Sequence, residues 1–287
     1  MKILTAGDKN YIPGLATMLK SLELNLNKDN YKKVEITIVS KDINAKEKKQ
    51  LESCCNYQIE WKDFISVDGG LLSMFGSRLS YVKMMPEKYV NAGDRLIWID
   101  SDTIVLGDLA PLWTMDLEGM AIAATPNPWG NPNNSQDRKP YLNTGVLLYD
   151  MQIWNEENLS EKIKENAINN VWNDHEQGAF NSVLIGRWKN MDRIWNNENT
   201  DDISTRIMHF IYKPKPWESP TPNQHWVKIF SQTPFKDDLK KMQNRSQGWL
   251  FKLKLKYGKW YGWVREPMAK FKSFYKRKGR NNSIDNP

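Results

Sequence analysis

No run of 18 apolar residues occurs anywhere in the 287-residue chain; the longest runs, such as Leu96–Ile99 and Val146–Tyr149, are strand-sized. No segment is therefore long enough to cross a bilayer as a helix. Cysteine is nearly absent. Cys54 and Cys55 are neighbours with no third thiol to pair with, which excludes a disulfide framework and fits a reducing compartment. Glycine cradles for phosphate are missing too: no G-x-G-x-x-G follows the first apolar run, and no G-x-x-x-x-G-K-[ST] occurs. Neither a dinucleotide-type nor a Walker-type site is indicated. No repeat period is visible, so a solenoid is excluded. The opening MKILTAGDKNY turns polar by Gly7, too early for the apolar stretch of a secretory signal. What is present is a globular composition, 40% hydrophobic and 26% charged. That is incompatible with a disordered or fibrous chain and sufficient for a sizeable α/β core.

The net charge of +7 is unevenly spread. Between Arg245 and Arg280 lie twelve Lys/Arg and a single acid, Glu266, so this stretch alone carries +11 and leaves the remainder at −4. Nine aromatics, from Trp249 to Tyr275, are interleaved with these cations. Basic residues mixed with aromatics suit an anionic membrane surface. The same mixture suits the phosphates and bases of a nucleic acid, although the acidic body and the lack of any nucleic-acid motif weigh against that partner. A third reading is a partly helical, solvated tail whose aromatics pack on the body. The closing NNSIDNP is expected to be disordered.

Along the chain, strand and helix patterns alternate. Lys2–Ala6, Val34–Ser40, Tyr57–Trp61, Arg95–Ile99, Met120–Ala124 and Leu142–Tyr149 read as strands. Pro13 opens a helical pattern with Leu15, Met18, Leu19, Leu22 and Leu26 on one side. Asn44–Ser53, Leu79–Tyr89, Ile153–Asn170 and Glu176–Leu184 read as further helices, with Pro86 either kinking the second of these or starting a new piece. Such alternation predicts βαβ units and a mostly parallel sheet, with ligands at the carboxyl ends of the strands. Asn127–Arg138 is a polar loop.

The strand RLIWI runs straight into Asp100-Ser101-Asp102. With 19 aspartates in the chain, chance alone supplies about one D-x-D, and Asp-Ser-Asp is also good turn chemistry. Two carboxylates crowded at a sheet edge nevertheless call for a cation or donors. Oxygen ligands of this kind suit Mg²⁺ or Mn²⁺.

Six motifs, in order, resemble those of glycosyltransferase family 8, the glycogenin and lipooligosaccharide galactosyltransferase-like group. They are LTAGDKNY, RLIWIDSDTIVL, Asn143-Thr144-Gly145-Val146, Glu176-Gln177 with Asn181, Trp195-Asn196, and His209-Phe210 followed by Lys215-Pro216-Trp217. The resemblance spans roughly residues 1–217. It implies a GT-A fold, a Rossmann-like mixed α/β sheet, over residues 1–244, with 245–287 as the basic tail. It further implies a retaining, UDP-sugar-dependent hexosyltransferase. Asp100, Asp102 and His209 would hold Mn²⁺ or Mg²⁺. Thr5, Ala6, Asp8, Asn10 and Tyr11 would receive the uridine, with Ser101 and Asn143 as further donor contacts. Lys215 would meet the diphosphate, and Lys83 the donor sugar phosphate. Glu176 and Gln177 would flank the reacting carbon. For the two lysines the residue type alone suggests solvated surface positions. The acceptor would be a saccharide or glycolipid, and the setting the cytoplasm, with peripheral contact to a membrane. Two residues depart from the family pattern: Glu176 stands where an aspartate is usual, and Tyr212 stands where a glycine lies near the phosphates. They keep open a catalytically weak or inactive relative that works by binding. A nucleotidyltransferase would need a glycine-rich basic loop after the first strand, and none is present.

Overall fold

A computed structural model describes residues 1–31, 33–66, 78–91, 93–134, 136–137, 139–198 and 202–247. The chain divides into a unit of Met1–Leu239 and a second unit from Lys240 onward. Of the latter only the run to residue 247 is described, so the expected tail falls almost wholly outside the described residues.

The first unit opens with β1 (Lys2–Asp8), α1 (Ile12–Asn25), β2 (Glu35–Lys41), α2 (Ala45–Glu52) and β3 (Gln58–Asp63). β1 pairs in parallel with β2, and β2 with β3. Pro13 sits in the first turn of α1, where its missing N–H costs nothing. Leu15, Met18, Leu19 and Leu22 are wholly buried, each contributing about 1.5–3 kcal/mol by leaving water. α2 begins at a reciprocal cap: the Asn44 side chain accepts from Glu47 N–H, and the Glu47 carboxylate accepts from Asn44 N–H.

The chain then returns to the other side of β1 as β4 (Arg95–Ile99), parallel to it. This reversal of strand order opens a crevice at the carboxyl edge between β1 and β4. There follow β5 (Thr103–Val105), α3 (Ala110–Trp113), β6 (Ile122–Pro126) and β7 (Leu142–Asp150). β7 runs antiparallel to both β4 and β6. The remaining elements are α4 (Met151–Glu156), α5 (Leu159–Asn169), α6 (Glu176–Val183), β8 (Lys189–Asn190), β9 (Ile207–His209), α7 (Gln224–Phe230) and α8 (Leu239–Gln247). The main sheet has the order β3-β2-β1-β4-β7-β6-β8, and β5 pairs with β9 in a small antiparallel sheet. The core on one face joins Leu4, Leu96, Trp98, Leu147 and Tyr149 to Trp154, Leu159 and Phe180.

Two expected helices differ. Leu79–Tyr89 is not α-helical but two 3₁₀ segments, Leu79–Met84 and Pro86–Lys88. Pro86 starts the second piece and forces Met85 out of the helical region, to φ −136°, ψ 55°. The expected single helix Ile153–Asn170 is α4 followed by α5, broken at Asn158, whose φ of 52° is left-handed. Strands β5, β8 and β9 have three residues or fewer, too short for a period-2 pattern to show. No described helix is long and apolar enough to cross a membrane. Burial pushes the Cys54 thiol up to about 12 and the Cys55 thiol up to about 11, so neither is poised as a nucleophile.

The break between α4 and α5 depends on a residue that tolerates the left-handed conformation. Asn158→Gly should leave stability nearly unchanged, whereas Asn158→Val should lose about 1–2 kcal/mol in urea denaturation.

Candidate active site

The loop after β4 brings Asp100 and Asp102 to the carboxyl edge of the sheet. β9, paired to β5 with Thr103 opposite His209, swings the imidazole back over them. One ligand atom from each of Asp100, Asp102 and His209 lies within 4.8 Å of the others, the only such group of three among the described residues. His209 Nε2 is 3.1 Å from Asp102 Oδ1 and 3.8 Å from Asp100 Oδ2.

Each carboxylate has its other oxygen tied to a buried lysine. Lys83 Nζ donates to Asp100 Oδ1 at 2.9 Å and to the Thr144 carbonyl at 3.0 Å, and lies 3.5 Å from Glu176 Oε1. Lys215 Nζ sits 2.8 Å from Asp102 Oδ2 and donates to the Phe210 and Ile211 carbonyls at 2.6 and 3.1 Å. These lysines are only 2% and 4% exposed, so the reading of them as solvated surface residues is overturned. Burial works against the Lys83 ammonium, but Asp100 and Glu176 overcome it and raise its pKa. Burial also works against the Asp102 carboxylate, yet Lys215 and His209 hold it well below the usual carboxylate range.

The histidine's tautomer follows from its neighbours. Asn143 Oδ1 accepts from Gly145 N–H at 2.8 Å and from Asn196 Nδ2 at 2.9 Å. Asn196 must then present its carbonyl oxygen to His209 Nδ1, 2.8 Å away. Nδ1 therefore carries a proton, and Nε2 is the ring nitrogen that faces the carboxylates, within hydrogen-bonding distance of Asp102 and placed to give its lone pair to a metal ion once its own proton is lost. Gly145 makes room for this ring: a Cβ there would lie 2.3 Å from His209 Cε1. Gly14 on α1 does the same for the acidic loop, since its Cβ would lie 2.4 Å from the Ser101 carbonyl oxygen.

Glu176 begins α6 and is 4% exposed. Burial pushes its carboxyl up, against the pull of Lys83. Its Oε2 is buried without a hydrogen-bond partner, which marks a place where a bound hydroxyl could donate. Gln177 is fixed on both sides: its Oε1 accepts from Thr144 N–H at 3.1 Å, and its Nε2 donates to Asp174 Oδ2 at 3.1 Å.

The residues at the end of β1 form a second group. Tyr11 packs edge-on against Trp217 with centroids 5.5 Å apart, and burial, then the nearby Asp102, raises its pKa. Asp8 caps the short 3₁₀ turn Lys9–Tyr11 by accepting from Asn10 N–H at 2.8 Å, while Asn10 itself is exposed. Ala6 is 8% exposed and Ser101 6%. The Thr5 side chain is fully buried with its hydroxyl unpartnered, so only its backbone could meet a ligand.

The structure thus joins Lys83, Asp100, Asp102, Asn143, Glu176, Gln177, His209 and Lys215 in one contact network. Sequence reasoning missed four contributors. Trp98 Nε1 donates to Asp100 Oδ1 at 2.7 Å, and Thr144 supplies both a carbonyl and an N–H. Asn196 orients the imidazole, and Asp174 holds Gln177. The first three lie inside the quoted motifs; Asp174 lies in none.

The site thus lies on an open sheet with a strand-order reversal, where two carboxylates stand at the carboxyl edge and an imidazole closes over them. The family model "Glycosyl transferase family 8" matches residues 2–221, and the chain belongs to that family. General stress protein A of Bacillus subtilis (strain 168) is 25% identical over 265 residues, covering 80% of this chain and 92% of that protein. Glycosyltransferase GlyF of Streptococcus pneumoniae is 28% identical over 237 residues, 76% of this chain and 57% of its own length. Among solved structures, the galactosyltransferase LgtC in complex with donor and acceptor sugar analogs aligns with a TM-score of 0.67 at 18% identity, covering 82% of this chain and 96% of that chain. The fold is GT-A.

Two outcomes test this geometry. Gly145→Ala should displace the imidazole, and a divalent cation held by Asp100, Asp102 and His209 should then bind roughly 10–100-fold more weakly, read by calorimetry. Asp102, with its folded pKa depressed, stabilises the protein above the ordinary carboxylate pKa of about 4 and loses that contribution as pH falls below it. Asp102→Asn should therefore flatten the acid limb of the melting profile in that window.

Proposed function

We propose that this chain is a retaining hexosyltransferase that moves glucose or galactose from a UDP-sugar to a saccharide or lipid-linked acceptor. The observation that carries this reading is the convergence of Asp100, Asp102 and His209 beside Lys215 at the carboxyl edge of the sheet. Two carboxylates and a neutral imidazole suit Mn²⁺, with Mg²⁺ the poorer match for a nitrogen ligand. The bound ion would supply Lewis-acid stabilisation of the charge on a departing diphosphate.

The chain's own residues divide the remaining work. Lys215 stands beside Asp102 with its ammonium on the Phe210 and Ile211 carbonyls; exchanging one of these for a phosphate oxygen would add a second positive charge at the leaving group. Lys83 is enclosed, so its role is to hold Asp100 and Glu176 in place. Glu176, with one buried oxygen unpartnered, would take a donor-sugar hydroxyl and face the positive charge that develops on the sugar. Gln177, held by Thr144 and Asp174, would flank the same carbon. Ala6, Asp8, Asn10 and Tyr11, with the Thr5 backbone, would receive the uridine at the end of β1, and Ser101 and Asn143 would complete the donor contacts. The stretch 245–287 would bring the enzyme to an anionic membrane surface from the cytoplasmic side.

UDP release from a panel of UDP-sugars, with and without Mn²⁺ and with no acceptor, tests the donor side. One donor should be hydrolysed in a Mn²⁺-dependent manner, and Asp102→Asn should lower that rate roughly 10²-fold or more. Absence of both hydrolysis and Mn²⁺-dependent UDP binding would favour a binding role instead. Removal of residues 248–287 should abolish sedimentation with anionic vesicles while UDP release persists; retained sedimentation would refute the membrane assignment.

A further inference from the structure

A cavity of about 490 Å³ opens at the edge of the sheet opposite the acidic loop. Lys2, Glu35 and Arg95 line it, and they are the first residues of β1, β2 and β4. These three strands run parallel, so their first residues share the amino edge. Asp100 follows the last residue of β4, at the carboxyl edge. The five residues of β4 set Arg95 and Asp100 apart, roughly 17 Å at about 3.3 Å per residue. The cavity is therefore a separate place from the site around Asp100, and its volume is that of a small-molecule pocket.

The lining favours an anion. Arg95 Nη1 donates to the Trp113 and Met115 carbonyls at 3.0 and 2.7 Å, and these two bonds hold the guanidinium plane in place. Among the described residues no hydrogen bond or ion pair engages its Nη2 or Nε. That leaves one edge of a fixed, planar fork, the geometry that takes two oxygens of an oxyanion side by side. Lys2 Nζ donates to the Asn91 carbonyl, a neutral partner that leaves its charge uncompensated. Lys33 pairs with Glu35 at 2.5 Å, so those two charges cancel. Asp94, exposed at the rim, forms no ion pair among the described residues. Lys2 and Arg95 together outweigh it. Tyr31 and Trp113 add two half-buried rings to the wall. The Tyr31 hydroxyl is engaged by Asp108 at 2.7 Å, so its ring is what remains for the cavity.

We propose that this amino-edge cavity is a second ligand site, for a small phosphate ester that carries a planar ring. The free edge of Arg95 would take two phosphate oxygens, and Lys2 would add a point charge beside them. The rings of Tyr31 and Trp113 would pack on the apolar part of the ester. None of these residues takes part in the network around Asp100, so the site stands whether or not the chain transfers sugars. A molecule seated here would touch the first residues of β1 and β4, the two strands whose far ends lead into Asp8 and Asp100. It would bind only the folded chain, because Lys2 and Arg95 meet only through the pairing of β1 with β4. Its presence should therefore raise the melting temperature.

The test is calorimetry of phenyl phosphate with the full-length protein in buffer containing a chelator, so that no divalent ion can bridge a phosphate to Asp100 and Asp102. Wild type should bind at one site, and more tightly than it binds inorganic phosphate, because the ring adds apolar contact. Arg95→Lys keeps the charge but loses the fork, and should weaken binding about tenfold or more. Lys2→Gln, which leaves the carbonyl bonds of Arg95 intact, should weaken it about threefold or more. Lys228→Gln, an exposed lysine on α7, should bind as wild type does. A melting curve without ligand shows whether Arg95→Lys is folded; where it is not, Lys2→Gln decides. Wild type that shows no saturable binding up to millimolar phenyl phosphate overturns the proposal. So does unchanged binding in both Lys2→Gln and Arg95→Lys, and so does an equal loss in Lys228→Gln, which would mean a diffuse attraction to surface charge. Binding of inorganic phosphate as tight as that of phenyl phosphate overturns the assignment to a ring-bearing ester.

Discussion

The site depends on how the two oxygens of each aspartate are shared out. Asp100 and Asp102 give one oxygen apiece to a buried lysine and turn the other toward His209. Without the lysines, two carboxylates this close would repel each other. With them, each charge has a cationic partner and the pair is aimed before any ligand arrives. The two cations come from distant parts of the chain, Lys83 from a 3₁₀ segment ahead of β4 and Lys215 from the loop after β9. Neutralising the acidic loop therefore also fastens these segments to the sheet edge.

The remaining machinery is arranged around absent side chains as much as present ones. Gly14 lets α1 approach the backbone of Ser101, and Gly145 lets the imidazole lie flat against β7. Between them, Asn143 and Asn196 leave only one way for the amide to point and hence one nitrogen of His209 open. Asp174 performs a similar service on the other flank, joining the polar loop after β6 to the first turn of α6 through Tyr141, Asn133 and Gln177. Both flanks of the crevice are rigidified by side-chain amides rather than by regular secondary structure.

Much of the frame could be read from the residues because its signals are local. Lys2–Asp8, Arg95–Ile99 and Leu142–Asp150 are apolar runs of strand length, and Pro13 and Asn44 announce helix starts by mechanisms that act within one turn. Asp100 and Asp102 are visible as a pair, but their spacing alone does not distinguish a metal site from a turn; the order of six motifs is what points toward the first. What stayed hidden was tertiary. Nothing near Lys83 or Lys215 in the chain says that they are buried, since their acidic partners lie 17 or more residues away. The break at Asn158 turns on a single left-handed residue within a continuous helical pattern. Asp174 acts only through contacts with Asn133, Tyr141 and Gln177, two of them more than 30 residues distant.

The antiparallel course of β7 places its beginning, Asn143 to Gly145, beside the end of β4, with Ile99 opposite Val146 and the Asp100 N–H on the Gly145 carbonyl. A slip of one residue in this pairing would set Thr144 or Val146 where the imidazole must lie, and either Cβ would exclude it. The sheet's register is thus inspected by the site it supports. A chain that mispairs these two strands has no place for His209 beside Asp100 and Asp102, so a folding error at the centre of the sheet takes apart the whole group rather than one member of it.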